Sequence, residues 1–302
     1  MPLHINTPLL ESLPLSRLNH TRVWMKMEAM QPSGSFKIRG VGHACEQHYA
    51  RGAKRSISSS GGNAGLAVAY AGRQLGVPVI VVVPETTSER ARHLLRLEGA
   101  EVRVQGKTWA EANQMALSLL EQNDAFIHPF DDPLLWEGHA SLIDEVLAEG
   151  VRPDAVILSV GGGGLLAGID EGLRRNQLDI PIYAIETEGM ASFNAALASG
   201  QPTTLPELTG VATSLGARQV CQRAYDLTKH REIIALTVND NQAVQACLSF
   251  LDDHRTLVEP ACGAALAALY ESKIALNTMS NILVIVCGGS TTTSTALQGF
   301  RG

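Results

Sequence analysis

Short apolar runs alternate with longer stretches of helical period along most of the chain, from residue 56 onward. The runs are rich in β-branched residues and almost continuously apolar, which is typical of strands covered on both faces. We predict strands at residues 56–58, 79–83, 101–104, 126–128, 155–160, 182–186, 233–238 and 282–286. The alternation itself predicts an α/β fold with a largely parallel sheet.

The stretches between these runs have the spacing of helices. Residues 64–75 end at Gly76, a residue type that favours a helix C-terminus, and residues 108–122 repeat apolar side chains at intervals of three and four. Each strand therefore leads into a crossover helix. A parallel sheet presents the carboxyl ends of its strands to ligands, so the loops that follow strands are the candidate sites.

The composition excludes several classes of partner. The 302 residues are enough for about two domains, and the 24 basic and 30 acidic residues give a net charge of −6. Because no basic run is longer than Arg174-Arg175, we expect no nucleic-acid partner. No stretch approaches about 18 uninterrupted apolar residues, and the N-terminus lacks a signal-peptide pattern, so we expect a cytoplasmic protein without a membrane partner. The expected partner is a small molecule.

The spacing of cysteines and histidines argues against a metal enzyme built on these side chains. The cysteines are odd in number and form no Cys-x-x-Cys pair, and His43 and His48 are five residues apart rather than three or four. The five cysteines are Cys45, Cys221, Cys247, Cys262 and Cys287.

Four consecutive glycines follow the strand at 155–160 and precede a predicted helix; they are Gly161, Gly162, Gly163 and Gly164. Bare backbone N–H groups at the positive end of a helix favour an anion, above all a phosphate. A tight strand-to-helix turn is the structural alternative. A third interpretation is the dinucleotide fingerprint Gly162-x-Gly164-x-x-Ala167, with Glu186 holding a ribose. On this loop alone, the phosphate site and the dinucleotide site stay open.

Two further loops carry polar or reactive groups after strands. Residues 59–65, Ser-Ser-Gly-Gly-Asn-Ala-Gly, place hydroxyls, an amide and backbone N–H groups at a helix start, which suits a carboxylate. Helix capping by Asn63 alone is the alternative. Cys287 follows the last strand, where its thiol either faces a ligand ring or only packs.

Lys37 lies within Ser-Gly-Ser-Phe-Lys-Ile-Arg-Gly, residues 33–40. A solvated cation near a helix start is the simplest interpretation, since lysines are rarely buried. The apolar neighbours Phe36 and Ile38 would instead lower the pKa of this amine and make its neutral form accessible for imine formation and proton transfer. A guanidinium such as that of Arg39 could not fill this role, because it stays protonated.

Five stretches together resemble motifs of the fold-type II pyridoxal phosphate enzymes, and most closely those of the L-serine dehydratase and serine dehydratase-like branch of the serine/threonine dehydratase family. They are residues 31–40, 59–65, 161–164, 259–265 and 287–290, in the same order as in that family. The resemblance implies a two-domain open parallel-sheet fold of the tryptophan synthase beta-like type. Residues 1–42 and 139–302 would form a large cofactor-binding domain, and residues 43–138 a small α/β domain.

The resemblance also implies pyridoxal 5'-phosphate as the cofactor. Lys37 would carry it as a Schiff base, with Phe36 on one face of the pyridine ring and Ala212 on the other. Asn63 would donate to the ring hydroxyl, and Cys287 would face the pyridine nitrogen. The remaining implied cofactor contacts are Gly161, Gly162, Gly163, Gly164 and Leu165, whose N–H groups would hold the phosphate, and Ser290.

Substrate and ion contacts are implied in the same way. The substrate carboxylate would be bound by Ser60, Gly61, Gly62, Asn63 and Ala64. Glu186 and Ser192 match positions that line a monovalent-cation site, with K+ as the candidate ion; part of that ligand set is backbone carbonyl oxygen, which a sequence does not show. A homodimer is also implied.

The implied reaction is the α,β-elimination of L-serine, and also of L-threonine, to pyruvate or 2-oxobutanoate and ammonia. Lys37, once released by the substrate amine, would act as general base on the α-hydrogen. Gly61 has no side chain where resembling racemases carry a serine, so we predict elimination without efficient racemisation. Two alternatives stay open: a nicotinamide-dinucleotide oxidoreductase that uses the Gly162 fingerprint, and a catalytically silent binding protein that has kept the fold.

Overall fold

The computed structural model describes residues 1–276 and 278–300, and in this part of the chain ten strands form two separate sheets. The strands are β1 (Leu9–Glu11), β2 (Arg22–Lys26), β3 (Arg55–Ser58), β4 (Val79–Val83), β5 (Glu101–Val104), β6 (Asp124–Phe126), β7 (Ala155–Ser159), β8 (Ile182–Thr187), β9 (Ile233–Val238) and β10 (Asn281–Ile285). The α/β class predicted from the sequence pattern is confirmed.

Helices follow most of the strands and cover the sheets. They are α1 (Leu13–Asn19), α2 (Lys37–Ala50), α3 (Asn63–Leu75), α4 (Glu89–Leu97), α5 (Trp109–Ser118), α6 (Pro133–Ala148), α7 (Gly164–Arg175), α8 (Ser192–Ser199), α9 (Gln222–Leu227), α10 (Asp240–His254), α11 (Pro260–Tyr270) and α12 (Ser294–Gly299). Short 3-10 helices lie at Glu28–Met30, Glu188–Met190 and Thr213–Leu215. No helix within the described ranges is both long and apolar enough to cross a membrane.

The six-stranded sheet joins both ends of the chain. Its order is β1-β2-β10-β7-β8-β9, so β2, near the N-terminus, pairs in parallel with β10, near the C-terminus. Only β1 is antiparallel within this sheet. The central strands β7 and β10 are almost wholly buried, as expected for a parallel sheet with helices on both faces.

The four-stranded sheet is formed by the middle of the chain. Its order is β5-β4-β3-β6, and all its pairs are parallel. Strand β4, Val-Ile-Val-Val-Val, is buried along its whole length. The carboxyl end of β3 leads directly into the loop at 59–62 and then α3, which ends at Gly76 in the left-handed conformation (φ +67°).

Helices α2 and α6 pack closely between the two sheets. A Cβ added at Gly138 of α6 would overlap the carbonyl oxygen of Arg39 and would lie 2.7 Å from the Cα of Gly40, both in α2. The domain boundaries expected at 42/43 and 138/139 fall inside these two helices. The division into domains stays a prediction, and the separation of the strands into two sheets supports it.

A buried ion-pair network fixes the start of α2. The guanidinium of Arg39 donates to the carboxylate of Glu28 at 2.7 Å and 2.8 Å and to that of Glu145 at 2.6 Å and 2.7 Å. Lys26, which is fully buried, also contacts Glu145 at 2.6 Å. Bidentate pairing of this kind restrains direction as well as distance. The first turn of α2 therefore has a rigid support beneath it.

Several predicted elements differ from the observed ones at their ends. The strand expected at 126–128 lies at Asp124–Phe126, because the Nδ1 atom of His128 accepts hydrogen bonds from the backbone N–H groups of Phe130 and Asp131 and turns the chain there. The helix expected at 108–122 ends at Ser118, whose hydroxyl donates to the carbonyl of Met115. Strands β1 and β2 were not predicted.

Candidate active site

The loop before Lys37 and the loop after β10 are hydrogen-bonded to each other. The N–H of Phe36 donates to the carbonyl of Cys287 at 3.1 Å, and the hydroxyl of Ser290 donates to the carbonyl of Ser33 at 2.6 Å. These contacts place Lys37, the first residue of α2, beside the carboxyl end of β10. Parallel sheets bind ligands at such ends.

The amine of Lys37 is half-buried and has its own hydrogen-bond partner. Its Nζ donates to the carbonyl of Pro129 at 2.6 Å and lies 5.1 Å from the centre of the Phe36 ring. Burial lowers the pKa of Lys37 to about 8, although electrostatic interactions with Cys287 and Glu259 act in the opposite direction. A neutral amine is therefore accessible near physiological pH, as the sequence predicted.

The glycine loop at 161–164 is crowded on its outer side and uncapped at its helix end. A Cβ at Gly162 would overlap the ring of Phe130, and one at Gly164 would lie 2.6 Å from the Phe130 carbonyl. Gly163 has φ +93°, and its Cβ would lie 2.5 Å from that of Ala224. Because Gly163 is also the N-cap of α7 and offers no side chain, the first N–H groups of the helix stay available. This cradle fits a phosphate.

The segment at 212–215 lies against the glycine loop. A Cβ at Gly161 would lie 3.0 Å from the Cα of Leu215, and Ala212 is buried three residues before it. The hydroxyl of Ser214 lies 3.4 Å from the Nδ2 of Asn63. Leu165, in the first turn of α7, is buried as well. The segment thus connects the glycine loop with the loop that precedes α3.

Residues 60–64 form a second uncapped helix start. Gly62 is the N-cap of α3 without a side chain, and its N–H donates to the hydroxyl of Ser60 at 3.3 Å. Ala64 is buried in the first turn. On the other side, a Cβ at Gly61 would lie 2.6 Å from Cγ2 and 2.9 Å from Oγ1 of Thr87. The free N–H groups of this turn suit a carboxylate, as expected from the sequence.

Asn63 is held at both ends of its amide. Its Nδ2 donates to Oε1 of Glu259 at 2.7 Å, and its Oδ1 accepts from the backbone N–H of Ser290 at 3.1 Å. Burial raises the pKa of Glu259 to about 7, although hydrogen bonds from Ser214 and Asn63 and the charge of Lys37 act in the opposite direction. A carboxyl group that titrates near neutrality therefore lies in the site.

The thiol of Cys287 is buried and stays protonated. A hydrogen bond with Cys262, together with burial, raises its pKa well above the usual range. Burial likewise raises the pKa of Cys247, which lies close to both. The five cysteines are all buried and free.

Glu186 and Ser192 lie near the glycine loop. Both carboxyl oxygens of Glu186 accept backbone N–H groups, those of Phe193 and Asn194, at 2.8 Å each. Burial raises the pKa of Glu186 to about 7 in spite of these bonds. The hydroxyl of Ser192 donates to the carbonyl of Gly161 at 3.4 Å. Among the described residues, no group of three or more His, Cys, Asp or Glu side chains is arranged to hold a metal ion.

Sequence reasoning missed four contributors to this site. Pro129 and Phe130 reach it through tertiary contact alone, and so does His139, whose ring lies 4.9 Å from that of Phe36 and whose Nδ1 accepts from the N–H of Gly40 at 3.2 Å. The fourth, Glu259, had a visible signal: it opens the matched motif at 259–265, directly before a helix-starting proline.

Comparison with known proteins adds independent information. A sequence model of the family described as pyridoxal-phosphate dependent enzyme matches residues 1–288. A Mus musculus protein named serine dehydratase-like is 48% identical over 99% of this chain and 94% of its own length. A Homo sapiens L-serine dehydratase/L-threonine deaminase is 45% identical over 99% of this chain and 95% of its own length. The solved structure of a fungal L-serine ammonia-lyase from Rhizomucor miehei has a TM-score of 0.94 and 34% identity, and covers 100% of this chain and 99% of that one.

Proposed function

Because this chain belongs to the family of pyridoxal-phosphate dependent enzymes, we propose that it catalyses the α,β-elimination of L-serine, and also of L-threonine. The products are pyruvate or 2-oxobutanoate, with ammonia. The names of the similar proteins support this reaction. The observation in the structure that carries it is the half-buried Lys37 amine, with its lowered pKa, linked through Pro129 and Phe130 to the uncapped glycine loop.

The residues present fit pyridoxal phosphate. Lys37 would hold the cofactor covalently, and Phe36 and Ala212 would lie on the two faces of its ring. Asn63 would donate to the ring hydroxyl through the Nδ2 hydrogen that Glu259 does not accept. The phosphate would be bound by backbone N–H groups at the uncapped start of α7. The full proposed set of cofactor contacts is Phe36, Lys37, Asn63, Gly161, Gly162, Gly163, Gly164, Leu165, Ala212, Cys287 and Ser290.

We propose that Lys37 removes the α-proton of the substrate. The bound cofactor supplies a π-system that accepts the negative charge developing at Cα. Lys37, once released by the substrate amine, would take the proton as a neutral amine, and its lowered pKa makes that neutral form accessible at physiological pH. Because the Cys287 thiol stays protonated, it carries no negative charge that would keep a pyridine nitrogen protonated, as a carboxylate at this position would. The β-hydroxyl would take up one proton and leave as water, and the released enamine would react with one water to give the oxo acid and ammonia.

The start of α3 is the proposed binding site for the substrate. We propose that Ser60, Gly61, Gly62, Asn63 and Ala64 bind the carboxylate, since the N-cap of this helix has no side chain and its N–H groups are free. A pocket that accepts a hydroxymethyl group discriminates against one more methyl by only about 1–3 kcal/mol, which supports threonine as a second substrate.

We also propose a K+ ion near Glu186 and Ser192. The support is a buried carboxyl group that forms no ion pair within the described part of the chain, next to the carbonyl of Gly161. A homodimer, a cytoplasmic location and the domain division at 42/43 and 138/139 are further proposals that rest on the resemblance. Analytical ultracentrifugation with and without K+ tests the homodimer and its dependence on K+.

The test of the reaction is the visible absorbance of the purified protein, followed by addition of L-serine with coupled detection of pyruvate, for wild type and Lys37→Ala. We expect a yellow protein that borohydride bleaches, and pyruvate only when Lys37 is present. A yellow protein that releases no oxo acid would support the silent-binding alternative. A colourless protein that cannot be reconstituted with pyridoxal phosphate would overturn the proposal.

The dinucleotide alternative has lost its support. The family that matches the chain uses pyridoxal phosphate. Glu186, the residue required to hold a ribose, instead accepts three hydrogen bonds at the start of α8. We propose that these glycines bind the cofactor phosphate instead.

A further inference from the structure

Glu259 is a buried carboxyl group at a helix start that does not cap its own helix. It is the N-cap residue of α11, but its side chain makes no capping hydrogen bond there. Only 4% of the residue is exposed, and its Oε1 accepts from the amide of Asn63 at 2.7 Å. A buried carboxyl group that forgoes the nearest backbone donors for a distant side chain is expected to have a specific role.

The contacts of Glu259 connect the two sheets. Asn63 follows β3 of the four-stranded sheet, whereas Glu259 begins α11, which packs on the six-stranded sheet. Ser290, which binds the other end of the Asn63 amide, follows β10 of that same sheet. Ser214 contacts both Asn63 and Glu259. The amide of Asn63 is therefore held by three residues, Ser214, Glu259 and Ser290, none of which belongs to the four-stranded sheet.

The chain leaves room for this carboxyl group by means of a glycine. Gly289 has φ +138°, a conformation that favours glycine, and a Cβ added there would overlap the carboxyl end of the Glu259 side chain. The loop that is hydrogen-bonded to Phe36 and Asn63 is thus shaped around the Glu259 carboxyl group.

We propose that Glu259 is a positioning residue that holds the Asn63 amide, and with it the loop at 60–64, against the six-stranded sheet. This inference rests on the proposed function where it concerns substrate, because that loop is the proposed carboxylate site. The part of the proposal that concerns the position of the loop does not depend on any substrate.

The charge of Glu259 determines the strength of the contact. An ionised carboxylate accepts from an amide more strongly than a neutral acid does. The titratable groups that face Glu259 are Lys37 of α2, Cys287 after β10, Cys247 of α10 and, behind Cys287, Cys262 of α11. Because its pKa is raised to about 7, Glu259 ionises as the pH rises through neutrality. The hydrogen bond from Asn63 to Glu259 is therefore stronger above pH 7 than below it.

The first experiment measures hydrogen–deuterium exchange in the purified full-length chain. Glu259→Gln keeps the size of the side chain but removes the charge, and Glu259→Asp keeps the charge but is too short to reach Asn63. The control is Glu271→Gln, the same change at the exposed opposite end of α11. We expect exchange of the amides at 60–66 to rise about tenfold in both Glu259 variants, the size expected when a charge-assisted hydrogen bond is lost, and to stay unchanged in the control.

The second experiment measures binding of glycine to the cofactor-loaded protein by its visible absorbance. Glycine has the carboxylate and the amine of the substrate but no β-hydroxyl to eliminate. We expect wild-type affinity to rise between about one pH unit below and one above the Glu259 pKa of about 7. In Glu259→Gln the affinity at the higher pH falls about tenfold, and the part of the pH dependence due to Glu259 is lost.

The two experiments separate this proposal from the proposed function. If exchange at 60–66 rises in the Glu259 variants while glycine does not bind wild type, the proposed function fails and the positioning role stands. If exchange at 60–66 is the same in wild type, Glu259→Gln and Glu259→Asp, and circular dichroism shows all three folded, the positioning role is overturned. Unchanged glycine affinity in a folded Glu259→Gln enzyme overturns the link to substrate.

Discussion

In the proposed reaction, the protonation state of the Lys37 amine determines how fast a proton can leave the substrate Cα. Only the neutral amine is a base, and burial lowers the pKa of Lys37 to about 8. We therefore expect kcat for L-serine to rise with pH through about 8 and to level off above it. Initial rates of pyruvate release at saturating serine measure this, with samples returned to neutral pH as the control for inactivation. A rate that falls as the pH rises from 7 to 8 would contradict the role of Lys37 as the base.

Gly61 is constrained by Thr87 as well as by the reaction. The Cβ of a serine at this position would lie 2.6 Å from Cγ2 and 2.9 Å from Oγ1 of Thr87, so rotation of Thr87 alone does not relieve the contact. We expect Gly61→Ser to destabilise the protein by about 1–3 kcal/mol and to lower kcat/KM for L-serine.

The double variant Gly61→Ser/Thr87→Ala distinguishes crowding from chemistry. It should recover most of the lost stability in urea unfolding, with Thr87→Ala alone as the control. Chiral chromatography of the products then shows whether wild type forms D-serine more slowly than pyruvate, as predicted. Equal loss of stability in the single and double variants would show that Thr87 does not limit this position.

The glycine loop and the start of α7 together form the proposed phosphate site. Gly163 has φ +93° and faces Ala224, so an alanine there meets both backbone strain and a steric overlap. We expect Gly163→Ala to weaken pyridoxal phosphate binding at least about tenfold. Titration of the cofactor by absorbance measures this. The matched control is Gly200→Ala, which has φ +72° but nothing within 4 Å of the added methyl group. Similar loss in both variants would assign the effect to general strain.

Elements with a local signal could be predicted from the sequence, and those fixed by distant contacts could not. Strand β4 is apolar throughout and was predicted to the residue. Strand β2, Arg-Val-Trp-Met-Lys, has polar ends. It is stabilised by pairing with β10, about 260 residues later in the chain, and no local sequence pattern shows this pairing. The end of β6 depends on the hydrogen bonds of His128, which is also a tertiary detail.

The same division holds for the candidate site. Lys37, Asn63 and the glycine loop each lie in a contiguous stretch whose residue types carry the chemistry, so sequence alone named them. Pro129 and Glu259 contribute through bonds that span 92 and 196 residues. Their roles follow only from the way the two sheets are brought together.

The molecule as a whole depends on the close packing of α2 and α6 between its two sheets. Lys37 begins α2, and His139 of α6 packs against Phe36, so the distance between these helices sets the position of the Lys37 amine. Burial, with the nearby charges of Lys37 and Arg39, lowers the pKa of His139 well below its usual range. The ring is therefore neutral and acts as a packing surface between the helices.

Gly138→Ala tests this dependence. The added methyl group would overlap the backbone of Arg39 and Gly40, which cannot move without displacing α2. We expect a loss of about 1–3 kcal/mol in the free energy of unfolding by urea and a lower kcat, since Lys37 shifts with its helix. The control is Gly299→Ala in α12, where nothing lies within 4 Å and stability should stay equal or rise by up to about 1 kcal/mol. A Gly138→Ala enzyme with wild-type stability and kcat would show that the two helices can separate without consequence, and that the position of Lys37 is set by the loop at 33–36 instead.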